Sequence, residues 1–182
     1  MKFISLFFIL CVSTKLFSQE VLLEENFSHG IPTNWSVEST MSSRNWYAKT
    51  YKETTYVTMS AFAGKGKQGY EVMAKLHTPL LEIGQKQCKL RFTFADAYGN
   101  GQPLQVFLTD EQFNIVKKLD EKAWAHLVNN SGKYDNKYEA VEWIALPRLN
   151  KAYRISFVYD SKQEDKIITT IIQLKEVDVW CE

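Results

Sequence analysis

Between Gln87 and Asp110 the chain reads as two strands around a polar turn, and no other stretch constrains the fold as strongly. Cys88, Leu90, Phe92 and Phe94 alternate with Lys89, Arg91 and Thr93, the period of two that a half-buried strand requires. Ala95–Gly101 interrupts the pattern with Gly99, Asn100 and Gly101, residue types that tolerate positive φ. Alternation resumes at Leu104, Val106 and Leu108, with Gln105 and Thr109 on the other side. The pair is expected to form a hairpin-like unit with its apolar faces turned to one core.

The remainder repeats this grammar in shorter pieces. Glu20–Phe27, Trp46–Ala48, Thr55–Met59 and Tyr70–Leu76 are extended and rich in aromatic or β-branched residues, as strands are. Tyr153, Ile155, Phe157 and Tyr159 alternate cleanly, and Ile167–Cys181 reads as a long final strand with a bulge near Lys175-Glu176. Phe113–Leu119, Trp124–Val128 and Val141–Leu146 are weaker strands, with a short helix as the other reading of Lys117–Leu127. Asn129–Lys137 is polar and reads as an exposed loop. Many short strands with regular turns, and no convincing helical spacing, predict an all-β protein, an antiparallel β-sandwich.

The first residues follow another pattern. Lys2, the apolar run Phe3–Val12 and the polar exit Thr14–Gln19 have the layout of a secretory signal peptide over residues 1–18. The run is too short to span a bilayer as a helix, which needs ~20 residues. Acylation at Cys11 is the alternative, but Leu10 stands where such signals carry a small residue. Residues 19–182 then form a single domain. Removing Lys2 and Lys15 leaves 20 basic residues against 21 acidic ones. No basic stripe points to nucleic acid. The expected location is secreted, cell-surface or periplasmic, with no transmembrane segment in the mature chain. Two cysteines remain, Cys88 and Cys181, both at inward strand positions. An even count in an oxidising compartment predicts a disulfide; two small buried hydrophobes are the alternative.

Several pieces in order resemble a known family. Glu25–Trp35 is similar to its opening, and Leu76-His77-Thr78-Pro79-Leu80-Leu81-Glu82-Ile83 to its Thr-Pro hallmark. Leu90–Phe94, Leu104–Thr109, Tyr153–Tyr159 and Val177-Asp178-Val179 follow in matching order. The family is the choice-of-anchor J and cleaved-adhesin type of jelly-roll domain, found in exported proteins of Bacteroidetes. The chain departs from it at Tyr70–Lys75, where acidic residues and a Trp are frequent. The resemblance implies a jelly roll with a binding or adhesive role. It also raises a structural calcium held by carboxylates near the first and last strands, here Glu24 or Glu25, Asp96 and Asp178. The alternative is that these are ordinary surface carboxylates.

Catalytic motifs are absent from the sequence. His29, His77 and His126 show no metal-ligand spacing and read as surface or turn histidines. No Gly-x-Ser-x-Gly elbow or phosphate-binding glycine loop occurs. Aromatic residues are 14% of the chain, more than the core needs. Phe92, Phe94, Tyr153 and Phe157 belong to the core by parity. Trp46, Tyr51, Tyr56, Tyr98 and Trp124 lie in loops or at outward parity. Trp46, Tyr51, Tyr56 and Tyr98 are expected to form one surface for a glycan or protein ligand at the cell surface, their alternative being to pack under loops. A polysaccharide- or peptide-cleaving hydrolase and a structural subunit of a surface assembly are the competing readings.

Overall fold

The computed structural model describes residues 19–128, 133 and 137–182. The signal-peptide reading of 1–18, and most of the 129–137 loop, lie outside the described residues. Among the described residues fourteen strands follow in order: β1 (Glu20–Glu25), β2 (Ser36–Ser39), β3 (Tyr47–Tyr51), β4 (Thr54–Met59), β5 (Met73–His77), β6 (Cys88–Ala97) and β7 (Leu104–Thr109). The second half contributes β8 (Ile115–Lys118), β9 (Glu139–Ala140), β10 (Ile144–Ala145), β11 (Arg154–Asp160), β12 (Lys162–Gln163), β13 (Lys166–Ile167) and β14 (Ile171–Cys181). One helical turn, α1 (Lys122–Ala125), lies after β8, where the weaker strand reading of Trp124–Val128 fails. The first sheet runs β10-β6-β14-β4-β3, with β1 also on β14 and β9 also on β6; the second runs β2-β5-β11-β7-β8. Both sheets are antiparallel. The fold is the antiparallel β-sandwich that the alternation predicts.

Strands β6 and β14 form the backbone of the first sheet. Ten partner pairs join them, from Ile171↔Ala97 to Cys181↔Cys88, with the register shifting between Leu174 and Glu176. That shift is the bulge expected at Lys175-Glu176. A second irregularity in β1, between Val21 and Leu23, turns Val21 outward and takes it off the core side, contrary to its sequence parity. The expected hairpin of Cys88–Phe94 with Leu104–Leu108 does not form. β6 belongs to the first sheet and β7 to the second. The intervening turn, with Tyr98 at φ 51, carries the chain across the sandwich. The two apolar rows therefore face each other and do not lie side by side. Alternation specifies a buried face, and both arrangements bury it.

The core gathers around Phe92. Its ring lies 5.3 Å from Phe157 of the opposite sheet, 5.7 Å from Trp124 and 5.9 Å from Phe94. The Phe157 and Trp124 contacts have the edge-to-face geometry that aromatic quadrupoles favour. Leu90, Phe94, Val106, Ile155 and Phe157 are all buried with it. At one end Cys88 and Cys181, direct cross-strand partners, are joined by a disulfide.

Truncating Phe92 to Ala should leave a void among three rings and cost ~3–5 kcal/mol. Urea unfolding checks this, and a loss below ~1 kcal/mol would remove Phe92 from the centre of the packing. The disulfide closes a sequence separation of 93 residues, for which the chain-entropy model gives at most roughly 4–5 kcal/mol. Reduced and oxidised protein should differ in urea midpoint accordingly, and coincident curves would contradict that contribution.

Candidate functional site

The outer face of the second sheet is a grid fixed by strand register. One row reads Ser36, His77, Ser156 and Phe107 across β2, β5, β11 and β7. The next reads Glu38, Lys75, Val158 and Gln105, and a third places Met73 beside Asp160. On the other side of the His77 row, Arg154 faces Thr109. These residues share parity, so they point away from the core that Leu76, Ile155 and Phe157 fill from the same strands. The β7–β8 turn raises a wall along one margin, and a cavity of about 140 Å³ opens between them. Met73, Lys75, His77, Phe107, Phe113 and Ser156 are among its lining residues. A second depression continues it past Met73 and Asp160 toward Glu71 and Lys162. Together they make a groove.

Its floor is a buried polar chain. His77 and Ser156 are each 1% exposed, and His77 Nδ1 lies 2.6 Å from Ser156 Oγ. Ser156 Oγ in turn lies 2.8 Å from Thr109 Oγ1. Three other buried atoms on this face have no hydrogen-bond partner: Ser36 Oγ, His77 Nε2 and Arg154 Nε. The nearest acid to His77 is Glu38, at 3.9 Å from Nε2, too long for a hydrogen bond; Glu38 also lies 3.6 Å from Lys75 Nζ. Burial pushes the His77 imidazole down to about 4; Glu38 opposes the shift, while the Lys75 and Arg154 charges add to it. The ring is therefore neutral at pH 7.

The wall residue Phe113 is held by a tight turn. Asp110 Oδ1 accepts from the Gln112 and Asn114 amides at 3.0 and 2.8 Å, and its Oδ2 accepts from Asn114 Nδ2 at 3.0 Å. These bonds, the Asn114 side chain first, draw the Asp110 carboxyl below its ordinary value. Phe113 itself has φ 64, a left-handed conformation costing about 1–2 kcal/mol for a residue with a side chain. Its ring packs 4.7 Å from the His77 ring and 5.1 Å from the Arg154 guanidinium carbon.

The expected aromatic surface takes a different form. Trp46 is 3% exposed, and its Nε1 donates to the Ala74 carbonyl at 3.2 Å, so it closes an edge of the sandwich. Tyr56 is fully buried and packs against Tyr138. Trp124 is also fully buried, donating to the Leu104 carbonyl. Tyr51 and Tyr98 are exposed, at 42% and 51%. They flank opposite ends of the first sheet: Tyr51 pairs with Thr54, while Tyr98 follows Ala97, in register with Ile171. Outward parity on a strand does not mean exposure when a loop covers that face, and that is the fate of Tyr56.

The carboxylates raised for calcium do not converge. Asp178 pairs with Arg91 at 3.0 Å on the outer face of the first sheet. Asp96 shares the inward parity of Phe92 and Phe94, in register with Ile172, six residues along β14 from Asp178. Glu25 accepts from the Phe27 amide, and Glu24 stands opposite Asp178. Among the described residues no group of three His, Cys, Asp or Glu side chains could hold a metal. These acids do not fit a shared calcium.

His77 is the residue that sequence reading missed. It alternates with Lys75 and Met73 on β5, which signals an outward face but gives no hint that β2, β11 and the β7–β8 turn would bury it. A histidine next to a serine invites a hydrolytic reading, and the geometry disfavours it. An imidazole held down to about 4 is a weak base at neutral pH. Ser156 lies in the central strand of its sheet, where backbone amides serve the ladder and not an oxyanion hole.

Because His77 is neutral when folded and charged when unfolded in acid, the unfolded state binds more protons between pH 6.5 and about 4. The stability from burying it neutral is complete above pH 6.5 and is lost as pH falls toward 4, by roughly 3 kcal/mol. Urea midpoints across this window should fall in the wild type and flatten in His77→Gln; equal slopes would refute the assignment.

No protein-family model matches this sequence, and no curated protein matches it. Solved structures do. The K3 cleaved adhesin domain of Lys-gingipain from Porphyromonas gingivalis W83 superposes with a TM-score of 0.63 at 14% identity, over 90% of this chain and 99% of that one. The K1 cleaved adhesin domain of the same protein gives 0.58 at 16% identity, over 89% and 97%. The K2 domain gives 0.57 at 11%, over 91% and 99%. At these identities the likeness is one of fold: the chain has the β-sandwich architecture of the cleaved adhesin domains.

Proposed function

We propose that the protein is an exported, non-catalytic binding module of the choice-of-anchor J type, and that the groove on the second sheet takes a glycan. One observation carries the reading: a cavity lined by apolar side chains and a few polar ones includes His77, whose buried Nε2 has no partner. Ligand sites have this composition, an apolar wall with a few converging polar groups. Met73, Phe107 and Val158 offer flat or aliphatic surface, while His77, Gln105 and Ser156 offer hydrogen-bonding atoms. A sugar presents the matching pair, a C–H face and a rim of hydroxyls. The shared fold with domains named as adhesins agrees with a binding role, and the leader-like residues 1–18 support export. Among the described residues no helix is long and apolar enough to cross a membrane.

Affinity electrophoresis against soluble polysaccharides, neutral and acidic, tests the reading. At least one polymer should retard the mature protein. Phe107→Ala, which removes an accessible ring from the groove wall, should weaken that retardation tenfold or more, equivalent to about 1.4 kcal/mol. Tyr98→Ala, outside the lining of both depressions, should leave it unchanged. Trp46→Ala should act on stability, as a core truncation. Retardation by no polymer, or retardation indifferent to Phe107, would overturn the groove as a glycan site.

A further inference from the structure

Arg154 is a half-buried cation with no acid to answer it. Its Nη1 donates to the Thr78 carbonyl at 3.1 Å, its Nε is buried without an acceptor, and among the described residues no carboxylate pairs with it. Burying a guanidinium without a counter-ion is costly, and proteins as a rule pair such groups. The acids of this face lie elsewhere. Glu38 is engaged by Lys75. Asp160 is six residues along β11, about 20 Å away at the rise of a strand.

What covers Arg154 is the face of the Phe113 ring, at 5.1 Å, and the same ring covers His77 at 4.7 Å. A cation over a ring gains less than a planar guanidinium gains from a carboxylate that meets its fork with two hydrogen bonds. The ring is also carried by a residue in a left-handed backbone conformation, so its placement here is not one the local chain prefers. The same ring lines the cavity.

We propose that the groove selects a glycan bearing a carboxylate, a uronic acid, and that Phe113 stands in the place this carboxylate takes over Arg154. The proposal rests on the groove being a glycan site. On binding, the ring swings aside and the carboxylate accepts from the Arg154 guanidinium. His77 then borders the sugar with its free Nε2. In the tautomer protonated at Nε2, Ser156 donates to Nδ1 and Thr109 to Ser156, so the buried chain is satisfied and the groove gains a donor.

The test follows the imidazole resonances of His77 by NMR while sodium glucuronate, or glucose, is titrated into the mature protein at pH 7. Glucuronate should shift them saturably and glucose should not. Phe113→Ala, which vacates the place over Arg154, should tighten glucuronate binding about tenfold, the worth of a cation–ring contact. Arg154→Gln should abolish the shift, and Arg154→Lys should restore part of it. Equal response to glucose, no response in either the wild type or Phe113→Ala, or full response in Arg154→Gln would each overturn the carboxylate subsite. Polysaccharide retardation through Phe107 separates the two readings. If it persists while His77 ignores glucuronate, the subsite is wrong and the binding module stands. If glucuronate binds as described but no polymer does, Arg154 holds a small acid and the glycan reading falls.

Discussion

The contact between Phe92 and Phe157 joins the two sheets, and everything that the second sheet presents to solvent depends on it. Phe92 enters from β6 and Phe157 from β11, each the inward residue of a long strand. β11 pairs with β5 on one side and β7 on the other. Pinning its inward residues therefore fixes the height and pitch of three strands at once. Ser156 and Val158 flank Phe157 in sequence, so the ring that anchors the core places the groove floor on the opposite face. A strand cannot bury one face firmly without also orienting the other.

The polar groups of that floor are arranged as a chain with loose ends. His77, Ser156 and Thr109 satisfy one another, while Nε2 of His77 and Nε of Arg154 remain without partners under a ring. Buried polar atoms are ordinarily hydrogen-bonded, and exceptions call for a cause. Among the described residues three of the six exceptions lie on this concave face, beside a turn that holds Phe113 in an unfavoured conformation. Local strain and unmet hydrogen bonding coincide. The outer face of the first sheet also has unpartnered atoms, Gln173 Nε2 and Trp180 Nε1, but there the cation Arg91 pairs with Asp178.

Burial takes Trp46 and Tyr56 out of the surface expected from the sequence, while Tyr51 and Tyr98 stay exposed. Trp46, Tyr56 and Trp124 each have a position that would be exposed on an isolated strand or loop. Each is covered by a piece of chain distant in sequence: Ala74 for Trp46, Tyr138 for Tyr56, Leu104 for Trp124. Phe107 and Phe113 were the less conspicuous rings, yet they remain at the cavity. The carboxylates behave alike. Strand parity places Asp96 inward and Asp178 outward.

Period-two alternation by itself determined the sandwich, the inward residues of β6, β7, β11 and β14 and the bulge near Lys175. Each follows from a local rule: alternate side chains face opposite sides, and the buried side must be apolar. Tertiary structure alone decided that β6 and β7 lie in different sheets, since two facing strands bury the same residues as two adjacent ones. It also decided that His77 is buried and that Phe113 lies over Arg154. Those facts depend on which strands become neighbours, and contacts between β2, β5, β11 and the β7–β8 turn join segments separated by tens of residues. No local pattern encodes such distances, so the core was legible in the sequence and the groove was not.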